Sequence, residues 1–600
     1  MTESMRTEWN LTPLLNGDDD PAMPVKRKVM EEASYEFINR WKDRGDYLKD
    51  PAVLRQALDE YEGWTRKYAC SGDEGYYFHL RTSQDQESPV LKAKNNKIDE
   101  FARKIHTDMQ FFDLRVSKIP ESEQVRFLSS PELAPYRHYL ETSFRSARYL
   151  LSEPEEKIMT LKSPSAYSKW TEMVETFLSK EERELLLEDG TMAKKSFSEI
   201  ESLVNSVQKP VRDSAVKALN EIVEKHSDVA EAEINAILAD KKVNDELRKL
   251  ERPDLARHVS DDIDSEVIDS LVAAVEKRYD ISKRFYALKA KLLGLDKLAY
   301  HERNVPYGEV DKKYSYPESV DLVRRTLAQL DSEFVKTLDD FVRNGNIDVY
   351  PRKGKSSGAF CAGNLITQPT YILLNHTGKI KDVVTFAHEL GHGINNELSR
   401  ARQNALYFGV STATAEVAST FMEDFVVQEL LKDADDELKL SLLTERVNGA
   451  VSSITRQVAV YKFENDLHRE FRAKGYLSKE EIGGLFRKNM EAYMGPAVEQ
   501  SEGSQNWWVQ FPHIRNFFYT YSYASGLLIS KSLQNMVKAD ASSISKVKDF
   551  LAAGTSDSPK NLFMNMGLDI TKGDFWNAGL NEVESSLNEM ESLARKLGKI

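Results

Sequence analysis

Cysteine is nearly absent from this chain: Cys70 and Cys361 are the only two in 600 residues. So few thiols exclude a disulfide framework and a thiolate metal cluster, and leave room for one structural disulfide at most. Long apolar runs are missing too. No stretch approaches ~18 uninterrupted apolar residues, and the polar start at residues 1–8 leads into nothing of signal-peptide length. A soluble, cytoplasmic chain with no membrane partner is the expectation. Basic residues are also short, with 82 Lys and Arg against 96 Asp and Glu, and the resulting net charge of -14 argues against a nucleic-acid partner. Self-similarity at the periods of helical repeats is lacking, which argues against a solenoid.

What is present reads as a globular, mainly α protein. Hydrophobic residues make up 41% and charged residues 30%, enough for sizeable cores beneath a soluble surface. Six hundred residues exceed what one core usually supports, so two or more lobes are expected, with a cleft between them as a natural site. Nearly everything up to about position 345 has helical periodicity; Ala215, Leu219, Ile222 and Val223 trace one such apolar stripe. Pro and Gly breaks at 153–154, 163–164 and 189–190 punctuate the first third. A boundary near Gly190 divides the chain into an N-terminal helical lobe, 1–190, and a catalytic lobe, 191–600. Between 344 and 378 the texture changes, and five glycines surround two β-like segments, 357–361 and 370–374, which predict a small sheet beside a helix.

The chemistry concentrates at 382–393, DVVTFAHELGHG. Val383, Ala387, Leu390 and Ile394 form one buried helical face, with Asp382 as its N-cap. His388 and His392 stand one turn apart on the same side, close enough for both imidazoles to reach one metal ion. Glu389 lies beside them, turned by about 100 degrees. Two neutral nitrogen donors with an adjacent carboxylate base suit zinc-assisted hydrolysis. By chance, His-Glu-x-x-His would occur only about 0.02 times in a chain of this composition.

Catalytic zinc normally takes a third protein ligand. The extended histidine pattern fails, because Asn395 and Leu398 occupy its later positions. The downstream acids are Glu397, Glu416, Glu423 and Asp424. Glu397 points about 140 degrees away from His392 if the helix continues. Glu416 opens a second helix whose Ala415, Ala418 and Ser419 would let it lie close to the first, and Ala413 removes the capping-box alternative. Glu416 is therefore the favoured ligand, with Glu423 supporting the site from behind. His376, just before the motif, reads as a loop residue.

These residues resemble the oligoendopeptidase F branch of the thimet oligopeptidase family of metallopeptidases. The resemblance lies in 352–363, the motif helix, 414–420 and 511–526, with weaker similarity near 289–294, and it covers roughly the C-terminal half. It implies a two-lobed helical shell enclosing a deep channel with one zinc ion at its floor, unfolded oligopeptide substrates, and a glutamate ligand at the position of Glu416. It also implies that His513 and one or two of Tyr519, Tyr521 and Tyr523 act on substrate; alternating as they do, the three face different directions in a helix and cannot all serve. A phenol or imidazole there would stabilise the oxyanion. The strand-like Gly358, Ala359 and Phe360 could pair with a peptide backbone along a sheet edge. Two other functions share these features: a metallo-carboxypeptidase of similar build, and a zinc-bearing peptide-binding protein without turnover. The oligomeric state is not legible.

Overall fold

The computed structural model describes residues 5–308 and 312–600, so the first four residues of the polar N-terminal stretch lie outside it. Helices account for 69% of the chain, in accord with the periodicity. The strands are short: β1 (Glu182–Leu186), β2 (Met192–Ser196), β3 (Leu298–Ala299), β4 (Ile347–Asp348), β5 (Phe360–Ala362), β6 (Tyr371–Leu373) and β7 (Val498–Glu499). β1 and β2 make an antiparallel hairpin, and β3 pairs with β7 in parallel. The third sheet has the order β4-β6-β5, with β4 parallel and β5 antiparallel to β6.

The chain forms two compact units, each assembled from three separated stretches. The first comprises Met1–Arg148, Asp311–Leu430 and Leu533–Leu568; the second comprises Tyr149–Val310, Leu431–Ser532 and Asp569–Ile600. Gly190, where the sequence suggests a boundary between contiguous lobes, lies inside the second unit. It turns the β1–β2 hairpin with φ of +81°, a conformation that glycine adopts without a side-chain clash. The hairpin escaped the helical reading of this region because it lacks apolar alternation: of its strand residues only Leu185 is buried. In the same unit Ala215, Leu219, Ile222 and Val223 are buried along the helix Lys209–Lys225, as their spacing predicts.

In the first unit, Phe37, Trp41, Tyr47 and Phe112 anchor one core, while Trp9, Leu14, Tyr76 and Phe78 pack on Tyr371 and Leu373 of β6. The Trp9 indole donates to the Ile372 carbonyl at 2.8 Å, and the Tyr371 hydroxyl donates to the Asn10 carbonyl at 2.8 Å. The N-terminal segment thus braces the sheet. Asp348 of β4 is fully buried with Lys355 and pairs with Arg352; burial opposes its charge, but these cations and Gln84 hold its carboxyl below the usual range. β5 and β6 in turn lie against the motif helix, Ile380–Arg402.

Three local expectations change. The motif helix begins at Ile380, so Asp382 sits in its first turn rather than at its N-cap, accepting from the backbone N–H of Thr377 at 2.7 Å and of Lys379 at 3.0 Å. Gly358 adopts φ of +79° and Ala359 precedes the strand, so only Phe360 of the predicted edge segment is extended in β5. The Asn375 side-chain amide holds that turn by donating to the Gly358 and Ser356 carbonyls. β5 does occupy an edge of its sheet, and the residues placed to pair there are Phe360 to Ala362. Finally, Cys70 and Cys361 are both free thiols. Among the described residues, no helix is long and apolar enough to cross a membrane.

Candidate metal centre

Val383, Ala387, Leu390 and Ile394 are fully buried, which turns the opposite side of the motif helix, with His388 and His392, toward the helix Glu416–Lys432. The two helices touch through backbone. A Cβ added at Gly391 would meet the Ala418 carbonyl oxygen and the Ser419 Cα at 2.6 Å, so only a bare glycine permits this approach. At that separation the Glu416 Oε2 lies 3.4 Å from His388 Nε2 and 3.7 Å from His392 Nε2. Three donors each ~2.1 Å from zinc at tetrahedral angles stand about 3.4 Å apart, so the observed spacing fits one ion.

The other acids considered are engaged elsewhere. Glu397 accepts from the Thr370 hydroxyl at 2.8 Å and from Arg400, and Asp424 accepts from Gln428. His376 contacts the Ser319 hydroxyl at 3.0 Å, outside the cluster. Glu423, two turns beyond Glu416, reaches His388 Nδ1 at 2.9 Å. A carboxylate only accepts, so His388 donates from Nδ1, which leaves Nε2, directed toward Glu416 and His392, as the nitrogen that could ligate a metal once its proton is displaced.

Electrostatics separate the carboxylates. Burial pushes Glu389 up to about 7, partly offset by the charge of His388 and by the backbone N–H of Cys361. Burial acts the same way on Glu416, yet His388 and His392 override it and bring Glu416 down to about 2. Burial opposes charge on His388, but Glu416 and Glu423 raise it to about 10, whereas burial dominates at His392 and lowers it to about 4. Three carboxylates around two imidazoles create a field that a dication would neutralise.

In the second unit the structure clusters His513, Tyr519 and Tyr523. His513 Nδ1 hydrogen-bonds the Tyr519 hydroxyl, and the Tyr523 ring lies 5.8 Å from that of His513 and 5.9 Å from that of Tyr519. Tyr521 leaves the candidate set. It is fully buried, donates to Asp261 at 2.5 Å and packs edge-on to His258. Phe517 and Phe518 take φ of +39° and +60°, strained for bulky side chains, between His513 and Tyr519. The Phe518 N–H donates to buried Glu464 at 2.7 Å, which holds the kink.

A family model described as Peptidase family M3 matches residues 202–582, more than half of the chain. The chain belongs to peptidase family M3. A second family model, Oligopeptidase F, matches 116–180, so Gly190 falls in the interval between the two matches. Oligopeptidase PepF of Bacillus subtilis is 26% identical over 602 residues, spanning 98% of this chain and 87% of its own. Group B oligopeptidase PepB of Streptococcus agalactiae is 25% identical over 533 residues, 87% and 88% of the two chains. Among solved structures, a Chlamydophila abortus chain superposes with a TM-score of 0.83 at 23% identity, covering 98% of both. Oligoendopeptidase-F of Enterococcus faecium gives 0.71 at 18% identity, covering 96% and 99%. At these identities the structures establish the fold. As an M3 peptidase the chain is a metalloendopeptidase, as the resemblance implied.

Sequence reasoning singled out the small residues of the second helix and missed Gly391, their counterpart in this M3 peptidase. The glycine inside the motif was the available signal. Gly391→Ala is expected to force the helices apart, lowering stability by about 1–3 kcal/mol and metal content with it, read by thermal unfolding and elemental analysis. Glu423→Ala should weaken metal affinity by about 10–100-fold in chelator competition while the fold persists. Tyr521→Phe should lower stability by about 1.5–3 kcal/mol in urea unfolding through loss of the hydrogen bond to the Asp261 carboxylate, which Arg257 still pairs, with metal content unchanged.

Proposed function

We propose that this chain is a zinc-dependent endopeptidase that hydrolyses internal bonds of short, unfolded oligopeptides. The observation that carries the reading is the convergence of His388 Nε2, His392 Nε2 and Glu416 Oε2, all within 4.8 Å of one another. Nitrogen and carboxylate donors in this number suit zinc and leave a coordination position open. The names of the Bacillus and Streptococcus relatives support oligopeptide substrates. Two free thiols in 600 residues are in keeping with a cytoplasmic location.

Zinc bound there supplies a Lewis acid that polarises water and the scissile carbonyl. The remaining steps belong to side chains. Glu389 takes the proton of the attacking water and returns it to the departing amine nitrogen. Its burial gives it a proton affinity near neutrality, and a neighbouring dication favours its ionised, basic form. Glu423 fixes the His388 ring through Nδ1, so that His388 stays oriented through the cycle. His513 is lowered to about 4, chiefly by burial and then by Arg456, so it is a neutral imidazole at pH 7. Burial and the bond to Tyr523 raise Tyr519, which keeps its phenol protonated. Tyr519 and Tyr523 are accordingly the hydroxyl donors we assign to the oxyanion, with His513 orienting Tyr519. Phe360 to Ala362, on the sheet edge, are assigned to pair with the substrate backbone.

Glu389→Gln is expected to retain one zinc per chain and lose at least ~10³-fold in kcat/KM, whereas His388→Ala loses the metal. Elemental analysis beside an internally quenched peptide assay, with and without chelator, checks both. A peptide blocked at both ends should be cut internally by mass spectrometry; release of single C-terminal residues from unblocked peptides alone would overturn the endopeptidase reading in favour of a carboxypeptidase.

A further inference from the structure

The second unit contains a cavity of about 250 Å³ outside the machinery assigned above, lined among others by Tyr300, His301, Arg303, Arg456, Gln510 and Phe511. Two guanidinium groups face it. Arg303 is only 6% exposed, and among the described residues its guanidinium makes one hydrogen bond, to the Tyr300 carbonyl. Its Nε and that of Arg456 are both buried without a hydrogen-bond acceptor. Among the described residues, neither arginine forms an ion pair with a carboxylate. Guanidinium keeps its charge throughout the physiological pH range, so the protein holds two cations here without counter-ions.

Burying an unpaired charge is costly, and the surroundings offset only part of the cost. The Tyr300 and Trp507 rings lie 4.4 and 4.9 Å from the Arg303 guanidinium carbon, and the Phe511 ring lies 4.8 Å from that of Arg456. A third cation adds to the problem. Lys289, 1% exposed, donates to the Arg303 carbonyl and to Asn448, and burial together with the charge of Arg303 lowers it to about 7. Glu201 lines the same cavity, but it is an exposed residue and, among the described residues, forms no ion pair with either guanidinium. Other polar atoms are also left without partners: the Tyr300 hydroxyl, His301 Nδ1 and Gln510 Oε1. A small anion would satisfy both guanidinium forks and the Tyr300 hydroxyl together.

We infer that this cavity is a carboxylate-binding site, in which Arg303 and Arg456 hold the two oxygens of one group. The aromatic walls suit a carboxylate carried on an aliphatic stem better than a strongly hydrated phosphate. Such a group can come from a free dicarboxylate or from an acidic residue of a peptide. The second source rests on the proposed peptidase function, and position favours it: Phe511, beneath Arg456, has its ring 4.7 Å from that of His513.

Calorimetric titration of the intact protein with succinate, and separately with inorganic phosphate, tests the site without any turnover. Succinate should bind once per chain, and Arg303→Met and Arg456→Met should each weaken it at least about tenfold, with Arg456→Lys recovering part of the loss. Arg456 is only half-buried, so its variants stay informative if Arg303→Met folds poorly. Phosphate binding tighter than succinate, no binding of succinate, or Met variants that bind it as tightly as the parent would each overturn the proposal. Paired quenched peptides differing only in Glu against Gln identify the source. A kcat/KM preference for Glu that falls toward one in both Met variants assigns the site to substrate. Equal rates in the parent, with succinate bound, assign it to a free carboxylate. Failure to cleave either peptide while succinate binds would count against the peptidase reading and leave the carboxylate site standing.

Discussion

The backbone contact at Gly391 governs the candidate centre. Two histidines one turn apart can be written into any helix, but a carboxylate must be delivered to them from a separate segment, and the reach of a glutamate is short. Because Gly391 presents no Cβ, the Ala418–Ser419 backbone comes within van der Waals contact of the motif helix. Glu416, two residues before Ala418, then needs no unusual extension to sit between the imidazoles. Glu423 follows after two helical turns on the same face, so a single close approach positions both the proposed third donor and the acceptor behind His388.

That packing also solves a chemical conflict. A ligand carboxylate must stay ionised at all working pH values, while a general base must exchange protons near neutrality. Glu416 and Glu389 are both buried, and burial alone would raise both. Contact with the two imidazoles pulls Glu416 down to about 2, whereas Glu389, turned away from that pair on the helix, is left near 7. The ligand role we propose for Glu416 and the base role we propose for Glu389 would thus follow from orientation on the helices rather than from any difference in side-chain chemistry.

Legibility in the sequence followed the range of the interactions. His388, Glu389, His392 and the buried stripe beneath them are related by helical periodicity, and Glu416 by the small residues after it, so local spacing sufficed. The β1–β2 hairpin was invisible because charged residues fill its faces, and the interleaved units because contacts between distant stretches leave no mark on composition. Tyr521 illustrates the same limit. Alternation showed that Tyr519, Tyr521 and Tyr523 could not share one direction, but which of them turns inward depends on Asp261 and His258, some 260 positions earlier in the chain. The positive φ angles at Phe517 and Phe518 add to this, since the chain turns there and Tyr519 lies ahead of the helix that begins at Tyr521.

Each unit, taken by itself, holds charge that its own side chains do not balance. In the first, carboxylates outnumber the groups that could neutralise them around His388 and His392. In the second, Lys289, Arg303 and Arg456 sit among aromatic rings. Scarcity of acids does not account for the latter, since this chain carries 96 Asp and Glu against 82 Lys and Arg, and in the same unit Arg515 and Arg212 are buried with carboxylates at 2.7 Å. The fold therefore compensates a buried guanidinium where the role is structural. Where it surrounds one with Tyr300, Trp507 and a cavity instead, the counter-charge is the one we infer to come from outside the chain, as a bound metal would supply it to the carboxylates around His388 and His392.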